Sequence, residues 1–140
     1  MSDRATDIGP LVLNLESNLS AVEEGRLALL DHLAPAALSP RVINRLEVVF
    51  EELVSNIARH GSASAIRVEA ALHGGEVRIA VEDDGPAFDP FDAPEPAPYT
   101  DLATAVPGGQ GIPLLKRLTS HSAYRRRDGR NCVTLAIAAA

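Results

Sequence analysis

The sequence predicts an α+β domain of two layers, with helices on one face of a largely antiparallel sheet. Three observations carry this. Alternating Ile66, Val68, Ala70 and Leu72 meet alternating Val77, Ile79 and Val81 across the turn His73-Gly74-Gly75, a hairpin signature, and residues 122–127 and 131–138 flank Asp128-Gly129 in the same way. A segment from Pro40 places Val42, Leu46, Val49, Phe50, Leu53 and Ile57 on one arc at about 100° per residue, which makes an amphipathic helix. Finally, 140 residues with 46% hydrophobic but only 4% aromatic content suit one domain around an aliphatic core.

The elements follow in order. Leu11, Leu13 and Leu15 alternate over residues 9–15, a short strand. Ser17 to Ala34 reads as a helix with Leu19, Val22, Leu29, Leu30 and Leu33 apolar, closed by Pro35. Ser39-Pro40 is an N-cap and first-turn proline, opening a second helix to about His60, with Gly61 as its stop. The first hairpin comes next. Residues 86–108 hold six of the ten prolines and resist regular structure. A loop that long in a compact domain is a lid or is disordered. Gly111 to Ser120 forms a third helix before the second hairpin. The order is β-α-α-β-β-lid-α-β-β, without internal repeat.

Composition excludes several functions. A net charge of −6 argues against nucleic-acid binding, whose footprint is basic. Arg125-Arg126-Arg127 reads as a solvated strand or loop end rather than a phosphate patch. The single cysteine, Cys132, rules out an intramolecular disulfide; within its apolar run it reads as a buried small hydrophobe. The four histidines show no metal-ligand spacing. No stretch is long and apolar enough to span a membrane, and no charged start followed by an apolar core marks a signal peptide. A reducing, cytoplasmic setting is expected.

Three segments carry chemistry: Glu51-Glu52-Leu53-Val54-Ser55-Asn56, then Asp83-Asp84-Gly85-Pro86-Ala87-Phe88-Asp89-Pro90, then Gly108-Gly109-Gln110-Gly111. In the second helix, Glu52 and Asn56 lie one turn apart at the edge of the apolar arc, while Glu51 points away and is expected to be solvated. An amide oxygen at Asn56 suits Mg²⁺, which prefers oxygen ligands and keeps several waters. A carboxylate at Glu52 suits proton acceptance from an attacking hydroxyl. Asp83 continues the phase of Val77, Ile79 and Val81, so it should point inward and needs donors, which a purine's exocyclic amine or the turn's own amides can supply. Gly85 allows a close backbone turn. Phe88 and Pro90 are expected to pack the base of the lid. The glycine run opens a helix whose amides suit anions, and Pro113 fits its first turn; a flexible lid hinge is the other reading. There is no Walker loop.

In this conjunction the chain resembles the GHKL ATPase superfamily, which contains gyrase, heat-shock chaperone, histidine kinase and mismatch-repair ATPases. Within it, the chain looks like the bacterial anti-sigma factor serine/threonine kinases. Glu52-Leu53-Val54-Ser55-Asn56 matches ExxxN, Asp83-Asp84-Gly85 matches DxG within Val81 to Pro90, and Gly109-Gln110-Gly111 matches GxG before a Leu-Leu-Lys-Arg-Leu helix. Asn131-Cys132-Val133-Thr134-Leu135 looks like the closing strand. The resemblance implies one histidine kinase-like ATPase domain over residues 1–140, a two-layer α/β sandwich of the Bergerat type, with residues 91–108 as the ATP lid. It implies ATP and Mg²⁺ as cofactors, Glu52 as general base and Asn56 as metal ligand. Asp83 would bind the adenine amine, Gly85 and Ala87 would line its pocket, and Gly109 and Gly111 would cradle phosphates. It implies a sigma factor or similar regulator and a STAS-domain antagonist as partners, and a homodimer through the sheet and first helix.

Two departures support a rival. Ala87 stands where the wider superfamily often has a second glycine, and no Lys or Arg lies between Phe91 and Gly111, leaving Lys116 on the next helix as the nearest cation after the lid. The rival is a non-catalytic partner-binding module of the same fold. A third reading, the ATP-binding half of a histidine kinase, has no room for a dimerisation helix pair, and His60 reads as a helix cap rather than a phosphoacceptor.

Overall fold

A computed structural model describes residues 7–60, 63–91 and 111–139. Five strands and three helices follow the expected order: β1 (Ile8–Glu16), α1 (Leu19–Leu33), α2 (Pro40–His60), β2 (Ala65–His73), β3 (Glu76–Asp83), α3 (Gly111–Leu118), β4 (His121–Arg127) and β5 (Arg130–Ala138). The strands form one sheet in the order β1-β2-β3-β5-β4, and every pairing is antiparallel. β3 and β5 are therefore neighbours although the whole third segment and α3 separate them in sequence.

The local chemistry explains the element ends. α1 starts two residues later than Ser17, because Asn18 takes the N-cap and its Oδ1 accepts the Ala21 N–H at 2.8 Å. Pro35 sits in a single 3₁₀ turn, Ala34–Ala36, that closes the helix. Ser39 caps α2, its Oγ accepting the Val42 N–H at 3.3 Å. On the edge strand β1 the register shifts between Ile8 and Leu11, where Gly9 and Pro10 intervene; proline has no N–H to give to a ladder. The C-terminal stop expected at Gly61 lies outside the described residues.

One face of the sheet is covered by the helices. Ile66, Val68, Ala70 and Leu72 of β2 and Val77, Ile79 and Val81 of β3 meet Val133, Leu135 and Ile137 of β5 there. Val22, Leu29 and Leu33 of α1 and Leu46, Val49, Phe50 and Leu53 of α2 close over them, with Leu115 of α3. Burying such side chains contributes about 1.5–3 kcal/mol each before entropy is counted. At Gly25 α1 comes so close that a Cβ would stand 2.9 Å from a Leu15 methyl and 3.1 Å from the Phe50 ring. The other face is open and carries Arg67, Glu69, Glu82 and Thr134 around small alanines. Cys132 lies on this open face, half-buried, with its thiol 3.6 Å from Glu82 Oε1; burial, then the Glu82 charge, pushes the thiol pKa up. The expectation of a core cysteine is corrected: strand alternation turns Asn131 and Val133 inward and Cys132 outward. Among the described residues no helix is long and apolar enough to cross a membrane.

Candidate functional site

The site forms where β3 ends beside the start of β5. Asp83 is the last residue of β3, in phase with the core residues, and it is only 7% exposed. A carboxylate so placed needs donors. Its Oδ1 accepts the Gly85 N–H at 2.9 Å and the Asn131 Nδ2 at 3.1 Å. Among the described residues no donor reaches Oδ2. The inward aspartate read from strand phase is thus present, and so is the turn that caps it.

Asn131 pairs directly with Asp83 in the ladder and is 4% exposed. Besides Asp83, its Nδ2 donates to the Pro86 carbonyl at 2.8 Å. Its Oδ1 accepts the Phe88 N–H at 3.1 Å, the Tyr124 hydroxyl at 2.6 Å and Arg126 Nη1 at 3.2 Å. Arg126 also donates to the Gly85 carbonyl at 2.7 Å. One buried amide therefore fastens the whole turn after β3. Sequence reasoning missed Asn131, Tyr124 and Arg126 as site residues. A signal existed: Asn131 is the polar residue in the inward phase of Val133, Leu135 and Ile137, and Arg126 is its register partner on β4. The arginine run is the exposed strand end expected of it, and Arg126 from that position also ties down the Asn131 amide and the Gly85 carbonyl.

Gly85 has a steric reason to be glycine. A Cβ there would stand 2.9 Å from Asp83 Oδ1 and 3.5 Å from Ala63. The close approach expected of it is made to its own carboxylate neighbour.

A cavity of about 280 Å³ opens beside these groups. Leu53, Ile57 and Val133 give it apolar walls, while Asn56, Asp83 and Asn131 bring polar groups. Gly85, Ala87, Phe88 and Pro90 complete the turn side. An apolar cleft with a few placed polar groups is the usual character of a small-molecule site. Pro90 is buried and Phe88 is 51% exposed, and both line the cavity; the lid residues they were expected to pack lie outside the described residues.

The structure brings Asn56, Asp83, Gly85 and Ala87 to this one cavity. Glu52 is half-buried on α2 one turn before Asn56 and does not line it. Glu51, expected to be solvated, is equally half-buried. It lies within electrostatic reach of Arg26 on α1, whose pKa is raised first by its hydrogen bond to Glu23 and further by the charges of Glu47 and Glu51. Gly111 opens α3, which packs against α2. Gly109 and the lid segment beyond Phe91 lie outside the described residues. Lys116 is tied to the base of that segment, its Nζ donating to the Phe91 carbonyl at 2.7 Å.

The donor set can be weighed against a divalent ion. Among the described residues no three His, Cys, Asp or Glu side chains cluster. A hard cation here would rest on the Asn56 amide oxygen, ligand oxygens and water, which is how Mg²⁺ is commonly held beside phosphates. The residues fit that arrangement and do not form a self-sufficient protein cage.

Asp84 belongs to a different network. It accepts the Ser64 N–H at 2.7 Å, the Ala65 N–H at 3.2 Å and the Ser64 hydroxyl. The Ser64 hydroxyl first, then the two amides, hold its pKa down at about 2. It clips the segment after α2 to the end of β3.

A family model described as the histidine kinase-like ATPase domain matches residues 15–137. The serine/threonine-protein kinase BtrW of Bordetella bronchiseptica is 34% identical over 101 residues, covering 69% of this chain and 71% of that protein. The crystal structure of the RsbU and RsbW domains of Rv1364c from Mycobacterium tuberculosis superposes with a TM-score of 0.68 at 25% identity. That match covers 92% of this chain and 32% of that one, so the chain spans about a third of that longer protein. A chain of the crystal structure of the SiaB-SiaC complex from Pseudomonas aeruginosa shares the fold at a TM-score of 0.59 and 19% identity, covering 91% of this chain and 88% of that chain.

Proposed function

The chain belongs to the histidine kinase-like ATPase family, and from that premise we propose that it is an ATP- and Mg²⁺-dependent protein serine/threonine kinase of the anti-sigma type. Its substrate would be a serine or threonine of a STAS-domain antagonist, and it would sequester a sigma factor or similar regulator, as a cytoplasmic partner switch. The relative named a serine/threonine-protein kinase supports the reaction class. The observation that carries the reading is Asp83: a buried carboxylate with one oxygen held by the fold, at the wall of an apolar cavity that also contains Asn56.

In this reading Leu53, Ile57 and Val133 would hold the adenine ring by its apolar faces and Asp83 would accept its exocyclic amine. Asn56 contributes an amide oxygen to the metal. Mg²⁺, when bound, neutralises charge on the phosphates. Glu52 accepts the proton of the substrate hydroxyl as it attacks the γ-phosphorus, and the bond to the leaving ADP oxygen breaks. Residues 91–108 would act as the ATP lid, with Gly109 and Gly111 at the phosphates and a homodimer as the working unit.

Two measurements test this. Mg-ATP is expected to bind in calorimetry, and Asn56→Ala is expected to weaken it; equal affinity would remove Asn56 as a metal ligand. Glu52→Gln is expected to abolish phosphoryl transfer to a STAS protein while sparing ATP binding. One observation favours a second reading: Glu52 does not line the cavity. The protein would then be a non-catalytic module that captures a regulator. Transfer retained by Glu52→Gln would dismiss Glu52 as the base, and capture of the regulator without ATP would favour the module.

A further inference from the structure

We infer that Asn131 is a positioning residue for base recognition: it turns the Asp83 carboxylate so that one oxygen serves the fold and the other faces the cavity. The inference rests on the nucleotide reading above and adds to it a residue from the last strand.

The direction of the Asn131 amide is set by its neighbours. The oxygen side meets the Phe88 N–H, the Tyr124 hydroxyl and Arg126 Nη1, and the nitrogen side meets Asp83 Oδ1 and the Pro86 carbonyl. Two of the first three, an amide N–H and a guanidinium, can only donate; both groups on the nitrogen side can only accept. A flipped amide would set donor against donor and oxygen against carboxylate. Burial at 4% exposure keeps water from substituting for any of these bonds.

The consequence falls on Asp83. With Gly85 N–H and Asn131 Nδ2 both on Oδ1, rotation of the carboxylate would break two bonds at once. Among the described residues no donor takes Oδ2, and Asp83 lines the cavity, so this oxygen is left to accept from a ligand that donates at that point. The 6-amine of a purine does so, and a purine without it does not. Tyr124 and Arg126 act one step further out, by holding Asn131 in its orientation.

The test compares ATP with purine riboside triphosphate, which lacks the 6-amine, by competition binding with Mg²⁺ present. Wild-type protein is expected to prefer ATP by at least about tenfold, or about 1.4 kcal/mol. Asn131→Leu is expected to shrink that preference to within about twofold, with the affinity for the purine analogue nearly unchanged. An equal fall for both nucleotides would mean that Asn131 only supports the fold, and would overturn the inference. If thermal melting shows Asn131→Leu unfolded, Tyr124→Phe decides. It leaves Asn131 in place but removes one donor, and is expected to cut the preference about two- to threefold. An unchanged preference in that variant overturns the inference while the nucleotide reading stands. A wild type that binds both nucleotides equally, or neither, sinks that reading and the inference with it.

Discussion

Asp83 and Asp84 stand side by side at the end of β3 and face opposite surroundings. Asp83 points into the helix-covered layer, is 7% exposed and meets Gly85 and Asn131. Asp84 points out to solvent and is saturated by Ser64 and Ala65. The difference arises from the period-2 alternation of a strand, which sends neighbouring side chains to opposite faces. It teaches that identical chemistry acquires different roles from direction alone: one carboxylate keeps an acceptor for a ligand, and the other gives all it has to a loop.

The sharpest way to break this comparison is to neutralise each carboxylate in turn. Asp83→Asn is expected to weaken ATP binding about 100-fold, the scale of losing a hydrogen bond to a charged group. Calorimetry on folded variant protein measures it, and an undiminished affinity would contradict the assignment. Gly85→Ala comes next. Its new Cβ would press on Asp83 Oδ1 at 2.9 Å, so the carboxylate must turn, and affinity is expected to fall about tenfold with the fold kept. A melting temperature lowered without any loss of affinity would show that Gly85 serves the turn alone.

The outward partner is tested by pH. The folded pKa of Asp84 is about 2 against an ordinary 3.8, so its ionised form stabilises the folded state above the ordinary value. That contribution is lost as pH falls through the window from 3.8 toward about 2. Thermal melts of wild type are therefore expected to drop more steeply across this window than those of Asp84→Asn. Parallel curves would remove Asp84 as the source. The smallest effect sharpens the comparison from the other side: Asp84→Asn should leave ATP affinity within about twofold, since it touches no cavity group.

Much of this was legible in the sequence. The alternation of Val77, Ile79 and Val81 reached Asp83 without any structure, and Ser39 and Pro40 marked the start of α2. Asp83 could be read because its neighbours on the strand are unambiguous. Asn131 carried the same phase signal ahead of Val133, Leu135 and Ile137, but a polar residue just after a turn did not by itself announce a role. Its role depends on which strand lies alongside, and the β3–β5 pairing is a fact of topology that no local pattern contains. Cys132 shows the converse error: hydrophobic company in sequence suggested the core, while alternation placed it beside Glu82 on the open face. Glu52 sat correctly near Asn56 by helical phase, yet phase alone did not show that the cavity reaches Asn56 and stops short of Glu52.

The β3–β5 ladder has a further consequence, for the order in which the molecule is built. The β2–β3 hairpin closes across two glycines, whereas Glu82 and Cys132, facing each other in the next ladder, are 50 residues apart along the chain. Such distant pairing forms slowly compared with local hairpins. The amide that fastens Asp83 is therefore expected to dock with the last hairpin, after the local β2–β3 pairing has formed. Closing a longer loop adds only about 0.6 kcal/mol for each doubling of its length. The stretch between β3 and α3 can accordingly lengthen or shorten over evolutionary time at small thermodynamic cost, leaving the ladder and its buried amide in place.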